Sequence, residues 1–145
     1  MSTDPRYHVI LLDDDFTVNY FNKIVLEDAG VVEQVHDFTS AREALRFLQH
    51  TSQHAETTSA RSGKPDVLFI DINMPEMDGF EFIEQLELTC RDIYKEATLC
   101  ILSSSEHAKD KKRANELGVF FYYSKPLDEH KIQEIVKILQ SRHTN

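Results

Sequence analysis

Short apolar runs alternate along this chain with longer stretches whose apolar positions recur every three or four residues. Most of the short runs are rich in Val, Ile, Leu and Phe and are bounded by polar residues, which is typical of strands buried in a sheet. We predict five such strands, over residues 7–12, 31–37, 66–70, 97–102 and 119–123.

The intervals between these runs have helical periodicity. In the first interval Val18, Phe21 and Val25 fall three and four residues apart, as on one face of a helix, and Gly30 follows as a terminator. The segment 106–117 is markedly polar for a helix. We predict helices over residues 15–29, 40–48, 80–89, 106–117 and 127–141.

The interval between the second and third strands holds a helix start and a long polar segment. Ser40 and Glu43 have the spacing of a capping box. Residues 49–64 are polar and have no periodicity, and we predict a long exposed loop for them. Loops of this length are uncommon unless they are mobile or functional.

Five strand–helix units in succession predict an α/β fold. Nearly continuous apolar strands indicate a parallel sheet with helices on both faces, joined by right-handed crossovers. The 145 residues are the size of one ordinary domain. We therefore expect a single domain over residues 1–145, with no output domain attached.

Composition and charge exclude several functional classes. The chain carries 16 basic and 25 acidic residues, a formal net charge of -9, which argues against nucleic acid or an anionic membrane as the main partner. Its apolar runs are shorter than a membrane helix requires, and the polar start is unlike a signal peptide. Two cysteines provide neither a disulfide framework nor a metal cluster, so we expect a cytoplasmic protein.

Polar residues that can bind ions or take part in reactions follow four of the predicted strands. Residues 13–15, all aspartates, follow the first strand, Asp71 follows the third, Ser103 follows the fourth and Lys125 follows the fifth. The carboxyl ends of parallel strands meet at one edge of a sheet, where the sites of open α/β sheets form. These side chains are therefore expected to converge.

Converging carboxylates need positive charge nearby. Two unit charges about 5 Å apart repel by roughly 3 kcal/mol at an effective dielectric constant near 20. Mg²⁺ binds the oxygens of one or two carboxylates and keeps waters or phosphate oxygens as further ligands. A lysine supplies a second positive charge, so the strand ends predict a magnesium site beside Lys125.

In these features the chain resembles the receiver domains of two-component signalling, over nearly its whole length and most closely the stand-alone type. Each matching piece alone is weak, but all of them occur in order and at strand ends. The resemblance implies a flavodoxin-like (βα)5 fold with strand order 2-1-3-4-5. The matching pieces are residues 11–15 (LLDDD), 67–75 (VLFIDINMP), 78–79 (DG), 101–104 (ILSS), 117–118 (LG) and 125–126 (KP).

The resemblance implies a role for each residue of the acidic site. Asp71 is the expected phosphoacceptor. Asp13 and Asp14 are the expected acidic pair for Mg²⁺, with Asp14 the direct ligand, and Asn73 would add its backbone carbonyl. An Asp carboxylate is a competent nucleophile toward phosphorus, and the charge of the transferring group requires positioned cations and hydrogen bonds.

Further roles concern the remaining strand ends. The resemblance implies that Lys125 pairs with the phosphoryl group and that Ser103 donates a hydrogen bond to it. Tyr122 matches the aromatic switch residue of the fifth strand. We also expect a cis peptide bond between Lys125 and Pro126, which X-Pro bonds tolerate.

The expected function is that of a switch rather than an enzyme with a separate substrate. Only self-catalysed phosphoryl transfer and autodephosphorylation are expected. The expected partner is a sensor histidine kinase or a histidine phosphotransfer protein. Output would leave through the face formed by helix 106–117, the strand around Tyr122 and the helix after Leu127. A second copy of the chain is an alternative partner at this face, which would give a homodimer.

Alternatives remain open at the level of sequence. The acidic pair can shift by one residue to Asp14 and Asp15, or the aspartates can simply cap the first helix. A phosphatase of the haloacid-dehalogenase type needs a general acid where this chain has Asn73. A flavin mononucleotide binder needs a phosphate-cradling loop where this chain has aspartates, and a purely structural module needs none of these carboxylates.

Two features depart from the family pattern. Tyr123 and Ser124 stand where apolar residues are more usual, which puts the packing of the fifth strand in question. The segment 49–64 is longer than the usual connection.

Overall fold

The predicted alternation of strands and helices is present in the computed structural model, which describes residues 6–55 and 63–143. The strands are β1 (Tyr7–Leu12), β2 (Val32–Phe38), β3 (Val67–Ile70), β4 (Thr98–Ser103) and β5 (Phe121–Ser124). The helices are α1 (Phe16–Asp28), α2 (Ala41–Ala55), α3 (Gly79–Thr89), α4 (Arg91–Glu96), α5 (Ala108–Glu116) and α6 (Glu129–His143).

The five strands form one parallel sheet in the order β2-β1-β3-β4-β5, which confirms the predicted fold class and strand order. The register places the last residues of the central strands side by side. Leu12 pairs with both Phe38 and Ile70, and Ile70 pairs with Ile101. The residues that follow β1 and β3 therefore leave the sheet at the same level.

Alternate residues of each strand enter two separate hydrophobic cores. Ile10, Leu12 and Ile70 point into the core beneath α2, α3 and α4. Leu11 and Phe69 point into the core beneath α1 and α6. This alternation follows from the two-residue period of a strand, and it explains why the central strands read as continuous apolar runs.

Helix α1 buries a different face from its apolar stripe. Phe21 is 60% exposed, and Val18 and Val25 are only half-buried. The residues buried against the sheet are Asn19, Asn22 and Leu26. This face is polar because it lies over the polar end of the sheet, where the Asn19 side-chain amide donates to the carbonyl oxygens of Asp13 and Phe38.

The prediction of a loop over residues 49–64 is wrong for its first part, because α2 continues to Ala55. Its last turns are held by polar rather than apolar contacts, which periodicity does not reveal. The Gln49 amide donates to Thr89 Oγ1 at 3.1 Å, and the Ser52 hydroxyl donates to Asp92 Oδ1 at 2.6 Å. Residues 56–62, in the rest of the predicted loop, lie outside the described residues.

The short helix α4 was not predicted from the sequence. It has one fully buried apolar side chain, Ile93, and is too short to show a helical period. The Tyr94 hydroxyl of this helix donates to the Leu117 carbonyl at 2.7 Å, just after α5.

Helix α5 is the least anchored of the longer helices. Ala114 is its one buried residue, as the polar sequence predicted.

No helix in the described part of the chain is long and apolar enough to cross a membrane.

Candidate functional site

The acidic side chains predicted to converge lie together at the carboxyl edge of the sheet. Asp13 and Asp71 follow paired strand residues and are both buried, with 4% and 5% of their surfaces exposed. Asp14 is exposed beside them. One carboxylate oxygen from each of the three lies within 4.8 Å of the others, so the three can hold a common cation.

Lys125 lies against two of these carboxylates. Its Nζ is 2.6 Å from Asp13 Oδ2 and 3.3 Å from Asp71 Oδ1. The expected cis peptide bond between Lys125 and Pro126 is confirmed. Lys125 therefore offsets one of three neighbouring negative charges. The formal negative charge that remains favours binding of a further cation.

The third aspartate of the run has a separate task. The Asp15 side chain accepts a hydrogen bond from the Thr17 amide at 2.9 Å and caps α1. The Asp15 amide in turn donates to Asp13 Oδ1 at 2.9 Å. This arrangement favours the pair Asp13 and Asp14 over Asp14 and Asp15, and it limits the capping alternative to Asp15.

The loop after β3 is held close to Asp71 by Gly79. A Cβ atom at Gly79 would lie 2.3 Å from the Asp71 carbonyl oxygen, and the Gly79 amide donates to the Ile72 carbonyl at 2.8 Å. Asp78 and Glu81 form a capping box at the start of α3. The Asp-Gly pair therefore brings the start of α3 against the backbone of the expected phosphoacceptor.

The fourth strand ends in a hydrogen-bonded loop. Ser103 is fully buried, and its hydroxyl oxygen accepts from the Ser105 amide at 3.0 Å. The Ser105 hydroxyl donates to Asp110 Oδ2 on α5 at 2.6 Å, and the Tyr122 hydroxyl donates to the Ser105 carbonyl at 2.8 Å. Ser105 thus connects Ser103 to both α5 and β5.

The remaining predicted residues lie around this edge. Asn73 is exposed in the loop between β3 and α3. Tyr123, which departs from the family pattern, stacks on Phe121 and donates its hydroxyl to Glu134 Oε1 at 2.8 Å. The half-polar fifth strand is therefore accommodated by its neighbours.

Comparison with known proteins decides the family. Residues 9–137 match the family model of the response regulator receiver domain. The chain belongs to the receiver domain family.

Solved structures and sequence relatives agree with this assignment. A two-component response regulator from Cytophaga hutchinsonii is 27% identical, with a TM-score of 0.80 over 95% of this chain and 99% of that one. The receiver domain of the histidine kinase CKI1 from Arabidopsis thaliana, solved with Mg²⁺ and BeF₃⁻, is 21% identical. Its TM-score is 0.76 over 96% of this chain and 91% of that one, a likeness of fold.

Several curated relatives are longer than this chain. The response regulator Rre1 of a Synechocystis species is 28% identical over 134 residues, which are 92% of this chain and 52% of Rre1. The chain thus spans about half the length of that regulator.

Receiver domains are the regulatory modules of two-component signalling and accept phosphoryl groups from histidine kinases.

One residue of this receiver's acidic edge was missed in the sequence. Asn19 is 1% exposed, and its side-chain amide donates to the carbonyl oxygens of Asp13 and Phe38, both at 3.0 Å. The available signal was its spacing from Asn22 and Leu26, which forms a second helical stripe. From the sequence alone, this mixed polar and apolar stripe predicts the buried face no better than the apolar stripe does. The choice between them requires the position of the helix on the sheet.

Burial and like charge destabilise the ionised form of Asp71. Burial raises its pKa most, the charges of Asp13 and Asp14 add to the rise, and Lys125 opposes it, so the pKa lies at about 6. Burial lowers the pKa of Lys125, but its hydrogen bond to Asp13 and the charge of Asp71 outweigh this and leave the pKa raised. The lysine therefore stays protonated beside the carboxylates.

This pKa shift predicts how stability depends on pH in Mg²⁺-free protein. Because the pKa of Asp71 is about 6 when folded and near 3.8 when unfolded, the folded state binds more protons between these values. The free energy of unfolding should therefore fall as pH rises from about 4 to 6. Asp71→Asn should remove this fall and stabilise the protein above pH 6 by roughly 1–3 kcal/mol.

Urea denaturation in the presence of EDTA measures the effect. Asp15→Asn is the matched control, because asparagine also caps a helix well, and it should change stability little at any pH. A wild-type protein and an Asp71→Asn variant with the same pH dependence between 4 and 6 would contradict the prediction.

Proposed function

We propose that this receiver domain is a Mg²⁺-dependent switch that accepts a phosphoryl group on Asp71. The observation that carries the proposal is the place of the Asp71 carboxylate. It lies at the carboxyl edge of the sheet, 3.3 Å from the Lys125 ammonium and with an oxygen within 4.8 Å of oxygens of the Asp13 and Asp14 carboxylates. A nucleophile, a fixed cation and a cation-binding pair thus share one small region.

The donor set fits Mg²⁺. Hard divalent cations prefer oxygen ligands, and the pocket offers carboxylate oxygens from Asp13, Asp14 and Asp71, with one of the three charges offset by Lys125. We assign the backbone carbonyl of Asn73 as a further ligand. Bound Mg²⁺ would neutralise charge on the carboxylates and on the oxygens of the transferring phosphoryl group.

The transfer itself is a displacement at phosphorus. An Asp71 carboxylate oxygen attacks the phosphorus atom, the new O–P bond forms an acyl phosphate, and the donor's bond to phosphorus breaks with its electron pair leaving on the donor atom. Lys125 stabilises the charge on the phosphoryl oxygens. The Ser103 oxygen accepts from the Ser105 amide, so its own proton can be donated to a phosphoryl oxygen.

The proposed donor is a sensor histidine kinase or a histidine phosphotransfer protein. The proposed output face consists of α5, β5 and α6, and it is also the face through which two copies could pair. A turn of Ser103 toward the phosphoryl group would disturb Ser105, whose contacts hold Asp110 on α5 and Tyr122 on β5. With one buried residue, α5 can shift at low cost.

The assignment of Asp71 predicts a specific covalent product. Incubated with Mg²⁺ and a small acyl phosphate, the protein should gain one phosphoryl group, measured by intact mass. Asp71→Asn should gain none, because the amide is a poor nucleophile, while its circular dichroism spectrum stays that of the folded protein. Continuous turnover of the donor without a stable adduct would indicate a phosphatase, and a defined adduct on Asp71→Asn would place the acceptor elsewhere.

The register of the acidic run predicts a difference between adjacent aspartates. Asp14→Ala should weaken Mg²⁺ binding at least roughly tenfold, since loss of even an outer-shell partner has effects of that order. Asp15→Ala should lose a helix cap, about 1 kcal/mol, with much less effect on Mg²⁺. Metal titration monitored by amide NMR shifts measures both, and an equal loss of affinity would refute the register.

The proposed output face predicts a route for the conformational change. Adding Mg²⁺ and a beryllofluoride mimic of the phosphoryl group should shift backbone amide resonances along residues 104–123 as well as around Asp71. Tyr122→Phe, which removes the hydrogen bond to the Ser105 carbonyl, should reduce the shifts on α5 but not those around Asp71. Shifts confined to the acidic pocket of the wild-type protein would exclude this output face.

A further inference from the structure

Two of the acidic side chains are held in place very differently. The Asp13 carboxylate is fixed at both oxygens, by the Asp15 amide at 2.9 Å and by Lys125 Nζ at 2.6 Å. The Asp14 side chain has neither a hydrogen bond nor an ion pair to another described residue. No side-chain contact with a described residue orients the Asp14 carboxylate, so the region it can reach is set by the backbone that carries it.

That backbone is anchored by Asn19. The Asn19 amide nitrogen donates to the Asp13 carbonyl oxygen and to the Phe38 carbonyl oxygen, each at 3.0 Å. The Phe38 carbonyl also accepts from the Asp13 amide at 3.2 Å. Asn19 thus joins the ends of β1 and β2 and fixes the orientation of the peptide group between Asp13 and Asp14.

Packing alone does not account for an asparagine at this position. Asn19 is 1% exposed, and its Oδ1 atom is buried without a hydrogen-bond partner from the described residues. Burial of an unpaired polar atom is costly, whereas an apolar side chain of similar size avoids the cost. Asn19 and Asn22 line a small cavity behind Asp13 and Asp71 with room for about one water molecule.

We propose that Asn19 is a positioning residue of the acidic pocket, which orients Asp14 for Mg²⁺ through the Asp13 carbonyl. The inference rests on the proposed Mg²⁺ site. Asn19 itself touches neither the metal nor the phosphoryl group. Its contribution is to keep the peptide after Asp13 in one orientation, so that Mg²⁺ binding has to order the Asp14 side chain but not the backbone that carries it.

Asn22 provides a matched control on the same helix. It is 5% exposed and lines the same cavity, but its side chain makes no hydrogen bond to a described residue. Asn19→Leu should weaken Mg²⁺ affinity about tenfold or more, as loss of outer-shell support does. Asn22→Leu should leave the affinity within about twofold. Mg²⁺ titration followed by backbone amide NMR shifts measures both, and urea denaturation measures the stability of each variant.

The phosphorylation rate adds a readout that a purely structural role would not move. With Asn19→Leu, the rate at saturating Mg²⁺ should approach the wild-type rate, while the Mg²⁺ concentration for half-maximal rate rises with the dissociation constant. Affinities that fall in both leucine variants in proportion to lost stability would overturn the proposal. Unchanged affinity in a folded Asn19→Leu protein would overturn it as well.

A measurement on the unaltered protein decides the matter if Asn19→Leu does not fold. The side-chain amide protons of Asn19 should exchange slowly with solvent and should shift on addition of Mg²⁺ more than those of Asn22. Equal responses of the two side chains would reject the positioning role. Failure of the wild-type protein to bind Mg²⁺ would instead reject the proposed function on which this inference rests.

Discussion

The contact of Lys125 with two buried carboxylates is the interaction on which the acidic edge depends. Asp13 and Asp71 emerge side by side because Leu12 and Ile70 are paired in the sheet. Without a neighbouring cation their mutual repulsion would oppose the strand register that brings them together. Lys125 provides that cation from a third strand end, 2.6 Å and 3.3 Å away.

The compensation is incomplete, and the incompleteness suits a switch. Lys125 offsets one charge, and the raised pKa of Asp71 records the repulsion and burial that remain. An edge of this kind is stabilised by further positive charge and, under the proposed function, is sensitive to a phosphoryl group on Asp71. If the protein's own residues fully neutralised these carboxylates, a bound cation or phosphoryl group would change the relative stability of two conformations less.

The end of β1 is held more firmly than the segment that follows β4. The β1 end is tied by Asn19 and by the cap at Asp15, so the acidic pair has a firm support. The β4 end leads through Ser105 to α5, which has one buried residue. The proposed output toward α5 rather than α1 is consistent with this difference, because the smaller packing loss lies on that side.

The sequence by itself determined the fold class, the strand order through its family resemblance, and the residues Asp13, Asp14, Asp71 and Lys125 that the structure brings together. These follow from local facts, since each apolar run ends where a polar residue begins and parallel strands share an edge. Tertiary structure alone decided the length of α2, the existence of α4 and the buried face of α1. Each depends on polar contacts between distant segments, such as Ser52 with Asp92, that have no period along the chain.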